Sequence, residues 1–227
     1  MTSWILYEDN HLIIVNKPNG IPVQGDKSGD KTLIDIVKSY IKKKYNKPGN
    51  VYLGLPHRID RPTSGIVILS KTSKSLSKMT KIFREKKIVK KYWAIVKNKI
   101  SVKNDVLIHY LKKNRKLNKS FAINEEKKGY LMAKLRFQLV KKLNNYYLYE
   151  INLMTGRHHQ IRAQLSTIGS PIKGDIKYGF SRTNNDGSIN LHSRIIEFIH
   201  PIKKSKIIIT ANPPTDDNIW KSCVNLK

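Results

Sequence analysis

Residues 130–140 read YLMAKLRFQLV and residues 146–154 read YYLYEINLM, with KKLNN between them. Apolar and polar side chains alternate along the first run, aromatic and β-branched residues mark the second, and Asn144-Asn145 sits between them as a turn signal. The pattern predicts two long antiparallel strands. Working outward, residues 91–96 (KYWAIV), 65–69 (GIVIL), 11–15 (HLIIV) and 207–210 (IIIT) are short apolar runs of strand type. Three segments have helical spacing instead. Residues 32–44 begin with Thr32 and an acid at Asp35, the signature of a capping box. Residues 73–87 put Leu76, Met79, Ile82 and Phe83 on one face and lysines on the rest. Residues 156–167 form the third, with Gly169 as the closing glycine. Strands and helices mix without βαβ regularity, so the reading is α+β, a mixed and mostly antiparallel sheet flanked by helices.

The 227 residues suit one domain, taken as 1–227, with 39% hydrophobic residues for a core. The lone cysteine, Cys223, excludes an internal disulfide and a cysteine-based zinc site. No secretion signal and no apolar run of the ~18 residues needed to span a membrane is visible. A cytoplasmic, soluble protein is expected. Charge is the strongest compositional signal, with 44 Lys+Arg against 16 Asp+Glu, a net +28. That field attracts polyanions, nucleic acid above all. A lysine bias produced by an AT-rich genome gives the same numbers, and charge alone names no polymer.

Three segments carry candidate chemistry. The first, PHRIDRPTSG at residues 56–65, places Asp60 in a Pro/Gly-shaped loop between Arg58 and Arg61, just before a buried strand. The arginines would favour its ionised form, although for an aspartate taken alone the plainer reading is a carboxylate that caps the loop or pairs with Arg58 or Arg61. The second, KKYWAIV at 90–96, starts a strand with Tyr92, whose plainest role is core packing with a satisfied hydroxyl. The third, TGRHHQIRAQL at 155–165, reads as an amphipathic helix with His158 and Arg162 four apart on a basic outer face.

In this order the three segments resemble the RluA-type family of RNA pseudouridine synthases. The family pattern, roughly HRLD-x-x-TSG-strand-AK, K-x-Y-x-A-x-V and L-x-TGR-x-HQIR-x-x-L, is matched by HRIDRPTSGIVILSK, KKYWAIV and LMTGRHHQIRAQL. YEDNHLIIVNKPNGIPV (7–23), SPIKGDIKYG (170–179) and LHSRIIEFIHP (191–201) agree as well, so the likeness runs from residue 7 to about 210. Ser70 and Ile59 depart from the commoner alanine and leucine without touching the chemistry. Many relatives carry a small RNA-binding domain before the catalytic one. Here the match starts near residue 7, so the chain is expected to find RNA with its own basic surface.

The resemblance implies an isomerase that detaches uracil from its ribose, turns it and rejoins it through C5, with RNA, ribosomal or transfer, as partner. It implies the pseudouridine synthase catalytic fold with a central RNA-binding cleft. The reaction is redox-neutral, so no cofactor or metal is expected, and a monomer without an obligate protein partner suffices. Asp60, Tyr92 and Arg162 are the implied catalytic residues: a nucleophile or stabiliser of the detached sugar, a stacking and proton-accepting ring, and a guanidinium that grips the carboxylate. His57, Arg58, Arg61, Thr63, Arg157, His159 and Gln160 are the implied substrate-binding residues. The cationic run from Lys71 through Lys74, Lys78, Lys81, Arg84, Lys86, Lys87, Lys90 and Lys91 is expected to follow phosphates. Loops 17–30, 112–127 and 179–190 are expected to select the target uridine. Among rivals, a hydrolase built on Ser64, Asp60 and His57 lacks the G-x-S-x-G elbow. A metal at His158-His159 lacks an acidic partner at ligand spacing. A binding module that has lost catalysis fits poorly with a chain that retains Asp60, Tyr92 and Arg162 together.

Overall fold

A computed structural model describes residues 2–25 and 29–224. In chain order the elements are β1 (Ile5–Glu8), β2 (Leu12–Lys17), α1 (Leu33–Lys44), β3 (Ser64–Ser70), α2 (Ser73–Arg84), β4 (Ile88–Val96), β5 (Val106–Asn114), β6 (Lys119–Ile123), β7 (Leu131–Lys142), β8 (Tyr147–Leu153), α3 (Gln160–Thr167), β9 (Leu191–Ile199), β10 (Lys206–Thr210) and α4 (Asn218–Val224). The strands make one sheet, β1-β2-β3-β9-β4-β8-β7-β5-β6, with β10 paired to β9. Every pairing is antiparallel except β3 with β9.

Strand β3 is buried along its whole length, which is why it reads as a continuous apolar run. Ile13, Val15, Val67 and Leu69 join a core with Leu33, Val37 and Ile41 of α1. Leu12, Ile14, Ile66 and Ile68 point the other way, to Met79 of α2 with Ile196 and Phe198. Each such side chain contributes about 1.5–3 kcal/mol by leaving water. The β3–β9 junction is close. Gly65 has φ +111, and a Cβ there would meet Ser193 backbone atoms at 2.4 and 2.5 Å. This glycine lets the loop before β3 and the start of β9 converge beneath the cleft described below.

The capping box at Thr32 is present, with Thr32 Oγ1 accepting from the Asp35 N–H at 3.1 Å and Asp35 Oδ2 from the Thr32 N–H at 3.0 Å. Gly169 closes α3 as expected. Its N–H reaches Ser166 O at 3.0 Å and that of Ser170 reaches Leu165 O at 2.9 Å.

Four features differ from the sequence reading. Residues 112–127 are not a loop, because β5 and β6 form a hairpin there around a turn at 115–118. Strands β1 and β9 and helix α4 were not anticipated. Helix α2 stops at Arg84, since Lys86 has φ +57, and not at residue 87. Helix α3 starts at Gln160, not at residue 156: Thr155 to His159 form a turn, with His159 left-handed at φ +52. His158 and Arg162 therefore share no helical face, and Arg162 is buried. Within loop 17–30, residues 26–28 lie outside the described residues.

Candidate active site

The loop before β3 is fixed at several points. Gly54 exchanges backbone hydrogen bonds with Ser70 at 2.8 and 2.9 Å, and the Thr63 N–H closes a turn on Asp60 O at 3.1 Å. His57 Nε2 accepts from the Ile68 N–H at 2.9 Å while its ring stacks on Phe83 at 4.5 Å. Burial, reinforced by Lys90, pushes the His57 pKa down to about 3, consistent with an accepting nitrogen. Ile59 is buried in the core, which turns the neighbouring Asp60 side chain toward the cleft. Behind the loop, the fully buried Lys17 donates to Pro18 O, Ile21 O and Arg61 O at 2.8, 3.0 and 3.2 Å. Burial lowers its pKa to about 7, opposed by the nearby Asp60 charge.

Asp60 meets a guanidinium from far along the chain. Arg162 Nη1 donates to Asp60 Oδ2 at 3.0 Å. The remaining edge of Arg162 is held by Asp175, with Nε to Oδ2 at 2.7 Å and Nη2 to Oδ1 at 2.8 Å. Burial alone would weaken the arginine's hold on its proton, but Asp175 and Asp60 outweigh it and raise its pKa. The Tyr178 ring lies 4.9 Å from the Arg162 guanidinium carbon. His159 Nε2 is 3.6 Å from the same Asp60 Oδ2.

Asp60, Arg162, His57 and His159 line a cleft of about 900 Å³, with Asp175, Tyr178 and Lys17 outside its lining. Tyr92, on β4, lines it with Leu191, Ile161 and Thr63. Burial raises the Tyr92 pKa to about 12, against the opposing effect of the nearby Ser193, so the phenol keeps its proton at neutral pH. Thr63 Oγ1 is buried and, among the described residues, has no hydrogen-bond partner. The rim is basic: Arg58, Arg84, Lys86, Lys90 and Arg157 line the cleft along with Arg162, and Asp60 is the one acid among the lining residues.

The structure thus brings together Asp60, Tyr92, Arg162, His57, Arg58, Thr63, Arg157, His159 and Gln160, from three separate segments. Arg61 turns outward, to Gly20 O at 2.9 Å and to Asp30 at 2.7 Å. Gln160 is engaged by the protein: its Oε1 accepts from Thr155 Oγ1 and the Arg157 N–H, and its Nε2 donates to Gln164. The cationic run divides. Arg84, Lys86 and Lys90 face the cleft, whereas Lys71 pairs with Glu8, Lys81 and Lys87 with Glu85, and Lys91 with Glu150. Asp175, Tyr178 and Lys17 escaped the sequence reading as site residues. The first two lie inside the family-like stretch SPIKGDIKYG, which was the available signal.

A profile of the family described as "RNA pseudouridylate synthase" matches residues 11–167. The chain belongs to the RNA pseudouridylate synthase family. Two similar relatives are named ribosomal large subunit pseudouridine synthase C. The protein of Buchnera aphidicola from Acyrthosiphon pisum is 39% identical over 91% of this chain and 66% of its own length. That of Vibrio cholerae is 34% identical over 91% of this chain and 64% of its own length. The chain thus spans just under two thirds of these relatives. Among solved structures, human RNA pseudouridylate synthase domain containing 4 superposes with TM-score 0.80 at 22% identity, covering 100% of this chain and 94% of that one. Human RNA pseudouridylate synthase domain containing 1 gives 0.70 at 18% identity, covering 96% and 86%. These likenesses establish the α+β pseudouridine synthase fold. No helix among the described residues is long and apolar enough to cross a membrane.

Proposed function

We propose that this chain, acting as one catalytic domain, isomerises uridine in RNA to pseudouridine, with Asp60 as the reacting group. The observation that carries the reading is the carboxylate of Asp60, held through one oxygen by Arg162 at the base of a cleft whose other charged walls are basic. An ionised carboxylate so oriented can attack the sugar or the base, or remove a sugar proton; all three routes break the N1–C1′ bond and end with C5 on C1′. Tyr92 offers a ring face to the uracil. A phenol that keeps its proton suits stacking and hydrogen bonding better than early base catalysis. Thr63 Oγ1 is placed to satisfy a polar edge of the base, since a buried hydroxyl left alone costs about 1–3 kcal/mol.

The target base must leave its stack, at a cost of a few kcal/mol. Exposed Arg58 on the cleft wall is suited to fill the gap, and Arg84, Lys86, Lys90 and Arg157 to hold flanking phosphates. The relatives' name favours a large-subunit ribosomal RNA as substrate.

The test uses RNA tritiated at uracil C5, where bond formation releases the label. Asp60→Ala and Asp60→Asn should both abolish release while RNA affinity stays within a few-fold. Turnover by either folded variant would remove Asp60 from the reaction.

A further inference from the structure

Resting on the reading of Asp60 as the reacting group, we propose that His159 is a positioning residue. Tyr178 locks its imidazole as the Nε2–H tautomer, which aims that N–H at the Asp60 oxygen that Arg162 already binds and leaves Oδ1 to substrate.

The argument starts at β6. The backbone N–H of Ser120 donates to Tyr178 Oη at 2.8 Å. Tyr178 Oη also lies 3.0 Å from His159 Nδ1. A phenol oxygen has one hydrogen to give, and Tyr178 is buried. If Nδ1 carried the imidazole proton, Ser120 and His159 would both donate to that oxygen, and among the described residues the buried Tyr178 hydrogen would have no acceptor. The consistent assignment has Tyr178 O–H donating to Nδ1, which leaves the ring proton on Nε2.

Nε2 is the atom that faces Asp60 Oδ2 at 3.6 Å, the oxygen already engaged by Arg162 Nη1 at 3.0 Å. Among the described residues no hydrogen bond reaches Asp60 Oδ1. Arg162 is hydrogen-bonded to Oδ2, and the Nε2–H, at 3.6 Å just beyond hydrogen-bond length, is aimed at the same atom; together they bias the carboxylate's rotation and leave the other oxygen's lone pairs for chemistry. Burial and the neighbouring Arg162 charge keep His159 neutral against the pull of Asp60, with a pKa pushed down to about 3. Its N–H is therefore a neutral dipole beside Asp60 that adds no second counter-charge to Arg162.

The backbone places the ring deliberately. His159 is left-handed at φ +52, a conformation that non-glycine residues adopt only at an energetic cost. Its ring is also stacked on His158 at 3.7 Å. Ser120 Oγ holds His158 in turn, donating to His158 O at 2.7 Å and facing Nδ1 at 2.9 Å. One residue of the β5–β6 hairpin thus anchors both supports of the His159 ring.

Tyr178→Phe removes the hydroxyl and keeps the ring over Arg162, so it isolates the tautomer. Long-range proton–nitrogen NMR on labelled protein should show His159 as the Nε2–H form in the wild type and a mixture in Tyr178→Phe. In single-turnover assays at saturating RNA, His159→Ala should slow the reaction about 10- to 100-fold, the scale of a misplaced reacting group. RNA Kd should stay within about three-fold, since positioning is not binding. Tyr178→Phe should slow the reaction less and add nothing in the His159→Ala background. A wild-type Nδ1–H signature, effects that multiply in the double variant, or a loss carried in Kd would each overturn the proposal; the last would make His159 a substrate contact. The NMR measurement decides the tautomer even if His159→Ala does not fold. An active Asp60→Asn enzyme would instead sink the underlying reading, so the two failures are distinguishable.

Discussion

Asp175 grips Arg162 through both carboxylate oxygens, at 2.7 and 2.8 Å, and thereby leaves a single guanidinium nitrogen, Nη1, to meet Asp60 at 3.0 Å. The fork geometry of arginine makes this division possible, because a lysine has no planar edge to give away. Asp175 is buried and fixed beside Gly174, whose φ is +86. Arg162 is thus aimed from behind before any substrate arrives.

Removing one partner of a buried ion pair leaves the other charge uncompensated, typically at about 3–5 kcal/mol. Asp175→Asn keeps the shape and one acceptor, so it should fall at or below the lower end of that range in denaturant unfolding. The same variant should lose about 10- to 100-fold in kcat through the swing of Arg162. Full activity in Asp175→Asn would show that Arg162 needs no rear support.

Much of this arrangement was legible in the sequence, and the rest fails for identifiable reasons. Buried β3 and the Thr32 capping box announce themselves because their signals are local. The meeting of Asp60, Tyr92 and Arg162 depends on the resemblance, since nothing in the spacing of residues 60, 92 and 162 draws them together. Strands β5 and β6 were hidden by the lysines along 112–119, which suggest a solvated loop, although one face of this hairpin packs under α3 through Leu111 and Ala122. Helix α3 was read four residues too long because a left-handed histidine at its start has no propensity signature. The role of Asp175 was invisible because Arg162 looked like an exposed helix residue; once Arg162 is known to be buried, a partner of opposite charge is required.

Gly65 allows a direct check on the floor of the cleft. A methyl group there would press into the Ser193 backbone at a φ that L residues avoid. Gly65→Ala should therefore destabilise the protein by at least about 1–3 kcal/mol, the usual range for overpacking. A thermal midpoint equal to the wild type's would mean that β3 and β9 can part without cost.

Acid should weaken the fold in a defined window. His192 is fully buried, with Nδ1 beside the Ser64 hydroxyl at 2.9 Å and Nε2 against Ala211 O at 3.0 Å. Burial lowers its pKa to about 4, and Arg194 adds to the effect against the Ala211 hydrogen bond. The folded pKa lies below the unfolded value of about 6.5, so between the two the unfolded chain binds more protons and stability rises with pH. On acidification this contribution is fully present above pH ~6.5 and is lost as pH falls toward 4, by up to about 1.4 kcal/mol per unit. Denaturant midpoints at pH 7, 6 and 5 should fall accordingly, and His192→Asn should shallow the slope. An unchanged slope in that variant would assign acid sensitivity elsewhere.

The division of the cationic run makes a sharper statement about RNA than net charge does. If the RNA enters the cleft, Arg84 and Lys86 on its rim contact phosphate, while Lys81 and Lys87 are already drawn to Glu85. Each phosphate contact contributes roughly 0.7 to 0.9 to the slope of log affinity against log salt. Arg84→Gln with Lys86→Gln should thus flatten that slope by up to about 1.8 and weaken binding to all RNAs alike, because phosphate contacts carry no sequence information. Replacing Lys74, Lys78 and Lys81 by glutamine, on the same helix but outside the cleft lining, should change it by much less. The comparison separates a built RNA path from a lysine-rich composition: the composition reading predicts a slope that follows the number of charges removed, wherever they sit. A larger change from the three outer lysines than from Arg84 and Lys86 would move the RNA off the cleft rim and onto the exposed face of α2.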